Sequence, residues 1–239
     1  MKIVVYTAIY GNIDKLWSVY PLARGDAEHV CFSDKKLREV GIWGDNGKLM
    51  PGTGNTTAPK TWEVRVAKQG RSPRKAARYY KTLAHEHFPD ADVTIWLDGN
   101  VRLLIPPRLA VKKWLRNSNL ATFNHPDRKC LFDEAAFCAK VGKANGAVLR
   151  DQVERYRKAG MPIKWGLPET RCVIRRNTKR INDLNDLWLA EIDKYSPRDQ
   201  VSLPFLCWQR GIRWAAIPGR AWVKGGNKDF YLIKHKANP

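Results

Sequence analysis

A predicted buried strand that ends in an acidic residue is the main chemical feature of the sequence. Residues 93–97 are apolar or β-branched and run directly into Asp98, Gly99 and Asn100. This pattern predicts a strand with a polar end, where ligands of open α/β sheets bind. An Asp-x-Asn sequence there offers oxygen ligands to Mg²⁺ or Mn²⁺, which in turn bind diphosphates. The alternative is a plain turn, because Asp-Gly is also a hairpin signal.

A basic helix is predicted before this strand. Ser72 occupies its N-cap position, and Pro73 lies in its first turn. Arg74, Arg78 and Lys81 are spaced by four and three residues and therefore share one helix face. Three cations on one face can clamp a diphosphate, and a solvated surface is the alternative.

Two more predicted strands end in polar residues. Residues 29–33 lead into Asp34, which can hydrogen-bond a ribose or base, or cap the turn that follows. Residues 120–123 are followed by the polar residues Asn124, His125, Asp127 and Arg128. A lone histidine is more often structural, whereas this combination at the end of a strand favours a functional site.

Three other segments complete the predicted framework. A first strand at residues 2–8 is broken by a turn that contains Gly11, and residues 165–170 form a loop before a short strand at 172–174. The last helix is predicted to begin with Ser196 as N-cap, which places Asp199 in its first turn and explains Asp199 without any chemistry.

Composition predicts one domain, or a domain with a small appendage. The chain has 239 residues, 44% of them hydrophobic, with ten tryptophans. Residues 44–60 are rich in turn-forming residues, which predicts a flexible loop, and residues 219–239 are expected to form a C-terminal segment. No apolar run approaches the roughly 18 residues of a membrane span. The first strand starts at residue 2 without a cleavage pattern, so a cytoplasmic protein is expected.

The net charge and the cysteines limit which binding partners and which kinds of cysteine site the sequence supports. The 43 Lys and Arg residues outnumber the 23 Asp and Glu residues, for a net charge of +20. This charge favours a polyanionic partner, namely nucleic acid, an anionic membrane surface or a phosphorylated small molecule. Five scattered cysteines predict reduced thiols rather than a disulfide framework or a zinc site. Neither a G-x-G-x-x-G nor a G-K-[ST] fingerprint is present.

Seven short motifs occur in an order that resembles a known family. They are residues 5–12 (VYTAIYGN), 32–34 (FSD), 78–81 (RYYK), 95–100 (IWLDGN), 125–128 (HPDR), 166–170 (GLPET) and 198–202 (RDQVS). Together they resemble the glycosyltransferase-like family, formerly a domain of unknown function, that includes plant seed-mucilage and pollen-turgor proteins and many bacterial and phage proteins.

The resemblance implies a fold and a donor site. The expected fold is a single GT-A, Rossmann-like α/β domain with a mixed, mostly parallel sheet flanked by helices. The expected donor is a UDP-sugar or related nucleotide sugar, with Mn²⁺ or Mg²⁺ bound by Asp98, Asn100 and His235. Asn100 stands where such enzymes usually carry a second Asp, which weakens the predicted metal site. The remaining donor-binding residues by this resemblance are Thr7, Ala8, Tyr10 and Asp34 at the base and ribose, Arg78 and Lys81 at the diphosphate, and Gly99 and Gln200.

The catalytic and acceptor assignments are also expectations. Asp199 is the first candidate for the carboxylate that either deprotonates the acceptor hydroxyl, which gives inversion, or supports an oxocarbenium-like centre, which gives retention. Glu169, Asp127 and His125 are the alternatives on the acceptor side. Asp127 and Arg128 are expected at the acceptor. The net charge favours a hydroxymethylated base in phage DNA as acceptor. The alternatives are a cell-surface glycan or lipopolysaccharide acceptor and a non-catalytic nucleic-acid-binding module on the same fold.

Overall fold

The computed structural model of the chain describes residues 1–43, 49–50, 60–220 and 226–233. Most of the predicted loop at 44–60 and part of the C-terminal segment at 219–239 lie outside these ranges. Within them, no helix is both long enough and apolar enough to cross a bilayer.

The described residues form a central seven-stranded sheet and two small two-stranded sheets. The central sheet has the strand order β10-β8-β9-β6-β1-β2-β5, β7 pairs with β11, and β3 pairs with β4. In chain order the strands are β1 (Ile3–Ile9), β2 (Glu28–Ser33), β3 (Ile42–Trp43), β4 (Leu49–Met50), β5 (Glu63–Val66), β6 (Val93–Leu97), β7 (Val101–Leu103), β8 (Leu120–Asn124), β9 (Pro168–Arg176), β10 (Ala215–Ile217) and β11 (Phe230–Leu232).

The central sheet is mixed and mostly parallel, as predicted. Strand β9 is antiparallel to both of its neighbours, β6 and β8, whereas the other pairs in this sheet are parallel. As a result, the carboxyl ends of five strands lie along the same edge of the sheet, namely those of β1, β2, β6, β8 and β10. The first residues of β9 lie along this edge too. The polar strand ends recognised in the sequence therefore meet at a single edge.

Helices cover both faces of the sheet. They are α1 (Pro73–Thr82), α2 (Ala84–His87), α3 (Pro107–Ala110), α4 (Leu131–Lys140), α5 (Gly146–Lys158), α6 (Lys179–Lys194) and α7 (Asp199–Gln209). Alternate side chains of β1 enter the two cores: Val4 and Tyr6 pack with residues of α1, α6 and α7, and Ile3 and Val5 pack with α3 and the π-helical turn that follows it. This alternation is the period of two expected of a strand buried on both faces.

Two predicted boundaries are wrong. Strand β9 begins at Pro168, so residues 168–170 belong to a strand and not to the predicted loop. Pairing on both of its edges, with a bulge at Thr122 and Phe123 of β8, extends this strand beyond its apolar centre. Helix α7 begins at Asp199 with Arg198 at the N-cap position. Ser196 instead accepts a hydrogen bond from the Arg198 backbone N–H at 3.2 Å.

Gly11 sets the path of the chain after β1. Its φ is +64°, and a Cβ atom at this position would lie 2.8 Å from the ring of Pro73 in α1. The Gly11 backbone N–H donates to Asp34 Oδ2 at 3.1 Å. A side chain here would therefore strain the turn and separate it from α1.

We expect Gly11→Ala to lower the free energy of unfolding by about 2 kcal/mol, from the left-handed backbone and the close contact together. Gly25→Ala is the matched control, since nothing lies within 4 Å of a Cβ atom there. Urea denaturation of both variants measures the difference. Equal midpoints would show that the turn tolerates a side chain.

Candidate functional site

A cleft lies at the ends of β1 and β6, beside the first turns of α1. Its volume is about 250 Å³. We call it the β1–β6 cleft and define it by its lining residues, Ala8, Ile9, Tyr10, Ile13, Asp14, Pro73, Arg74, Ala77, Arg78, Trp96, Asp98, Gly99, Asn100 and Arg198. Residues from four distant parts of the chain therefore share one cavity.

Asp98 lies at the end of β6 in this cleft, as predicted from the strand pattern. Its side chain is 28% exposed, and Oδ1 accepts a hydrogen bond from Trp96 Nε1 at 2.8 Å. The same oxygen lies 3.5 Å from Lys81 Nζ. Both contacts are made by Oδ1, so the second oxygen is the one that can serve a ligand in the cleft.

Behind the cleft lies a buried ion pair between Lys81 of α1 and Asp199 of α7. Lys81 Nζ lies 2.5 Å from Asp199 Oδ2 and donates to Thr170 Oγ1 at 2.9 Å. Thr170 donates to the same Asp199 oxygen at 2.7 Å, and Arg78 lies 3.3 Å from Asp199 Oδ1. The side chains of Lys81 and Asp199 are 0% and 2% exposed, so both charges are removed from solvent.

This pairing bears on the roles predicted for Asp199 and Lys81. Burial by itself raises the pKa of Asp199, but the charges of Arg78 and Lys81 outweigh burial and hold that pKa below its usual range. A carboxylate that binds protons so weakly is poorly suited to act as a general base, whereas it can still support a positively charged centre, and that role stays a prediction. Lys81 likewise is fully buried against carboxylates, so it does not reach a diphosphate in the cleft. Both residues position the site.

Three arginines supply the positive charge of the cleft. Arg74 and Arg78 come from α1, and Arg198 comes from the N-cap of α7. Arg198 is held by Glu134 Oε1 at 3.4 Å and by Gln200 Oε1 at 3.3 Å. The sequence indicated Arg74 and Arg78 through helical spacing, whereas it gave no chemical role to Arg198.

The cleft contains a second carboxylate that sequence reasoning missed. Asp14 lies so close to Gly99 that a Cβ atom at Gly99 would be 2.8 Å from Asp14 Oδ2. Asn100 is 3% exposed, and its side-chain amide donates to the Ile233 carbonyl at 3.1 Å. Asp98 and Asp14 are thus the carboxylates that line the cleft.

Only some of the residues predicted to hold the base and ribose line the cleft. Ala8 and Tyr10 line the cleft, and the Tyr10 hydroxyl donates to the Ala67 carbonyl at 2.7 Å. Thr7 is 0% exposed within the sheet and does not line the cleft, so its contact with a ligand stays a prediction. Asp34 is partly exposed and accepts a hydrogen bond from the Gly11 backbone N–H, so it supports the turn after β1 rather than the predicted turn that follows Asp34.

The polar residues after β8 lie beside a second cavity. His125 and Arg128 line it, whereas Asp127 is 52% exposed and lies 3.8 Å from Arg220 on the surface. His125 Nδ1 accepts backbone N–H bonds from Asp127 and Arg128 at 3.2 and 3.1 Å. Burial lowers the pKa of His125, which leaves the ring neutral at pH 7.

Glu169, Gln200 and Glu134 lie between the two cavities. Glu169, at the start of β9, is 4% exposed and lies 2.6 Å from Arg171 Nε. Gln200 donates to the Pro168 carbonyl at 3.3 Å. Glu134 of α4 is 1% exposed and joins Arg128 of the second cavity, at 2.5 Å, to Arg198 of the β1–β6 cleft. Sequence reasoning gave Glu134 no role.

His235, the third predicted metal ligand, lies outside the described residues. Within the described part of the chain, one group of three metal-binding side chains has its ligand atoms within 4.8 Å of one another: His85, Glu86 and Asp186. None of these residues lines the β1–β6 cleft. Among the described residues, Asp14 is the other carboxylate in the cleft beside Asp98, and the contribution of His235 stays a prediction.

Comparison with known proteins identifies the family. The sequence model of the family described as "TOD1/MUCI70, glycosyltransferase-like domain" matches residues 1–214. The chain belongs to this family. The match confirms the resemblance inferred from the seven motifs, and the fold confirms the predicted α/β class.

Two relatives of this TOD1/MUCI70 domain come from Arabidopsis thaliana. "Probable hexosyltransferase MUCI70" is 26% identical over 215 residues, which cover 84% of this chain and 36% of the relative. "Alkaline ceramidase TOD1" is 26% identical over 225 residues, which cover 85% of this chain and 48% of the relative. The chain therefore spans less than half the length of either relative.

Solved glycosyltransferase structures are also similar, at low sequence identity. The apo structure of the bifunctional glycosyltransferase WbbM has a TM-score of 0.49 and 11% identity. The alignment covers 91% of this chain and 38% of the WbbM chain. A glycosyltransferase involved in glycosylation of the PBCV-1 major capsid has a TM-score of 0.39 and 12% identity, with 65% and 66% covered. At these values, residue roles rest on the geometry of the TOD1/MUCI70 domain itself.

The buried pair makes a stability prediction. We expect Asp199→Asn and Lys81→Met each to lower the free energy of unfolding by about 3–5 kcal/mol, since each strands a buried charge. The double variant should lose clearly less than the sum of the two. Urea denaturation of the four proteins measures this coupling.

The control is the exposed pair Lys179 and Asp183, 2.9 Å apart and 88% and 49% exposed. Lys179→Met and Asp183→Asn should cost little and couple by less than about 1 kcal/mol. Additive losses at Lys81 and Asp199 would contradict the structural role of that pair.

Proposed function

We propose that this TOD1/MUCI70 domain is a nucleotide-sugar-dependent glycosyltransferase that moves a hexose to an acceptor hydroxyl. The observation that carries the proposal is the β1–β6 cleft, where Asp98 and Asp14 share one cavity with Arg74, Arg78 and Arg198. Carboxylates suit a divalent cation, and arginines suit phosphate oxygens. Their combination at the carboxyl ends of strands fits a metal-bound diphosphate.

A neighbouring cavity of about 520 Å³ extends the cleft toward the turns after β1 and β2. The two cavities share Ile13, Asp14 and Asn100, and Trp17 and Arg38 line the larger one. Its size suits a small-molecule site. We assign the nucleoside of the donor to this cavity and the diphosphate to the β1–β6 cleft.

The donor set of the cleft fits Mg²⁺ or Mn²⁺. Asp98 and Asp14 would hold the ion through carboxylate oxygens, whereas the buried Asn100 amide is bonded to Ile233. When bound, such an ion stabilises negative charge on a departing diphosphate. The cations Arg74, Arg78 and Arg198 contribute to the same stabilisation without the ion.

In the proposed reaction, the bond between the anomeric carbon and the diphosphate oxygen breaks, and the nucleoside diphosphate leaves with the bonding electrons. The acceptor oxygen forms the new bond to the anomeric carbon and loses its proton to a base. Glu169 and the neutral His125 stay the predicted candidates for this base, whereas burial and pairing leave Asp199 poorly suited to it. Arg128 stays the predicted acceptor-binding residue.

DNA as acceptor, a phage setting and a cytoplasmic location stay predictions that rest on the charge and on the sequence pattern. Steep loss of DNA binding with added salt is the expected behaviour of a DNA-directed enzyme. DNA binding without any nucleotide-sugar binding would instead favour the non-catalytic module. Vesicle binding would favour an acceptor at an anionic membrane.

The first experiment measures nucleotide release from UDP- and GDP-sugars with Mn²⁺ or Mg²⁺. It is run without acceptor, with hydroxymethylcytosine duplex DNA and with oligosaccharides. Release that depends on an acceptor supports the proposal and identifies the acceptor. Because one relative is named an alkaline ceramidase, fatty-acid release from ceramide is measured in parallel. Fatty-acid release without nucleotide release would overturn the proposal.

Asp98→Asn tests the site directly. We expect nucleotide release to fall at least about 100-fold, because the neutral amide keeps the shape of the side chain and removes the charge that binds the ion. Asp90→Asn, in the exposed turn before β6, is the control with the same chemical change. Wild-type turnover in Asp98→Asn, with an unchanged melting temperature, would contradict the assignment.

A further inference from the structure

The second cavity lies at the ends of β8 and β10 and has a volume of about 380 Å³. The proposed donor site makes no use of it. We call it the tryptophan pocket and define it by its lining residues, Asn124, His125, Arg128, Lys129, Lys164, Trp165, Gly166, Leu167, Arg213, Trp214 and Ala216. It belongs to the same edge of the sheet as the β1–β6 cleft.

Two indole rings form an ordered corner of this pocket. The ring centroids of Trp165 and Trp214 are 5.3 Å apart, at an interplanar angle of 67°. Trp214 Nε1 donates to Asn124 Oδ1 at 2.9 Å. Gly166, with φ of +130°, brings the loop so close that a Cβ atom would lie 3.1 Å from the Trp214 ring. The rings are therefore held in place without a ligand, which lowers the entropic cost of binding one.

The charged residues that line the pocket are all basic. Its lining includes Arg128, Lys129, Lys164 and Arg213, and no acidic residue. Arg128 pairs with Glu134 at 2.5 Å, and Arg213 lies 4.2 Å from the centroid of Trp165. Within the described chain, Lys129 and Lys164 are exposed and have neither an ion-pair nor a hydrogen-bond partner. Two ammonium groups thus remain available to an anion.

The pocket lies within reach of the donor site. In the central sheet, β9 alone separates β6 from β8. Two strand spacings place the ends of β6 and β8 roughly 10 Å apart. Glu134 also joins an arginine of each cavity, Arg128 and Arg198. A ligand in the tryptophan pocket can therefore present a hydroxyl toward the β1–β6 cleft.

We propose that the tryptophan pocket binds a negatively charged sugar unit of the acceptor, one that carries a carboxylate or phosphate group. The inference rests on the proposed transferase function and gives its acceptor a chemical class. The apolar face of a sugar ring packs on an indole, and the anionic substituent pairs with Lys129 and Lys164. The new glycosidic bond forms at a free hydroxyl of this ligand, as in the reaction above.

The shape of the pocket favours a sugar over nucleic acid. Single-stranded nucleic acid is bound along an extended basic groove, with aromatic rings on which successive bases stack. Here the two indoles meet edge to face in an open cavity of about 380 Å³. This cavity is in the size range of small-ligand sites.

The test is isothermal titration calorimetry of the full chain with four probes: trigalacturonate, trehalose 6-phosphate, neutral maltotriose, and a single-stranded hydroxymethylcytosine oligonucleotide. We expect an anionic saccharide to bind at least ten-fold more tightly than maltotriose. Lys129→Gln/Lys164→Gln should remove this preference. Preference for trigalacturonate or for trehalose 6-phosphate then distinguishes a carboxylate from a phosphate ligand.

The matched control is Lys158→Gln/Lys179→Gln, which removes the same charge from side chains that are 77% and 88% exposed on α5 and α6. It should keep the preference. Equal loss in both double variants, equal binding of maltotriose, or tighter pocket-dependent binding of the oligonucleotide would each overturn the inference.

Titration with UDP and Mg²⁺ separates the two proposals. Nucleotide binding without any preference for an anionic saccharide leaves the transferase and overturns the assigned acceptor class. A saccharide preference that depends on Lys129 and Lys164, without nucleotide binding or release, overturns the transferase and leaves a saccharide-binding domain. Trp165→Ala should weaken trigalacturonate and maltotriose alike, since the ring contacts the sugar and not its charge.

Discussion

The ion pair between Lys81 and Asp199 is the constraint on which the rest of the site depends. It joins α1 to α7, and Thr170 adds the start of β9. Asp98, at the end of β6, lies 3.5 Å from the same ammonium group. A buried charge that loses its partner is strongly destabilising, so these four elements have to assemble together. Their assembly fixes the position of the carboxyl end of β6, which Asp98 directly follows.

The pair also separates two kinds of positive charge. Lys81 is enclosed by carboxylates and by the rings of Trp96 and Trp188, 5.5 and 5.9 Å from its Nζ. Arg78 and Arg74, one and two turns earlier on the same helix, reach the cleft. The buried lysine holds the framework, whereas Arg78 both pairs with Asp199 and lines the cleft, and Arg74 lines it as well. Planar guanidinium groups are better suited than an ammonium group to the oxygens of a diphosphate.

A comparable arrangement links the two cavities. Glu134 is buried, and burial raises its pKa, but its hydrogen bonds with Cys138 and Arg128 and the charge of Arg198 outweigh burial and hold the pKa below its usual range. An ionised carboxylate therefore fixes one arginine of the β1–β6 cleft and one of the tryptophan pocket. The proposed donor and acceptor sites therefore share this support.

The sequence by itself determined the local features of the protein. Apolar runs that end in Asp98 or Asp34 located strands, Ser72 and Pro73 located a helix, and the seven ordered motifs gave the family. These features depend on residues close in the chain, where periodicity and turn chemistry act. The sequence also predicted that Asp98 lies where a ligand can bind, because this residue directly follows the carboxyl end of a buried strand.

Only the tertiary structure decided which groups meet. Helical spacing put Lys81 on the same face as Arg74 and Arg78, but α7 and β9 cover Lys81, and no local pattern encodes that cover. The roles of Asp14, Glu134 and Arg198 and the corner formed by Trp165 and Trp214 depend on pairings between distant segments. Asp199 shows the same limit: its motif marked it as a candidate catalytic residue, and only the tertiary structure shows that it is buried beside two cations.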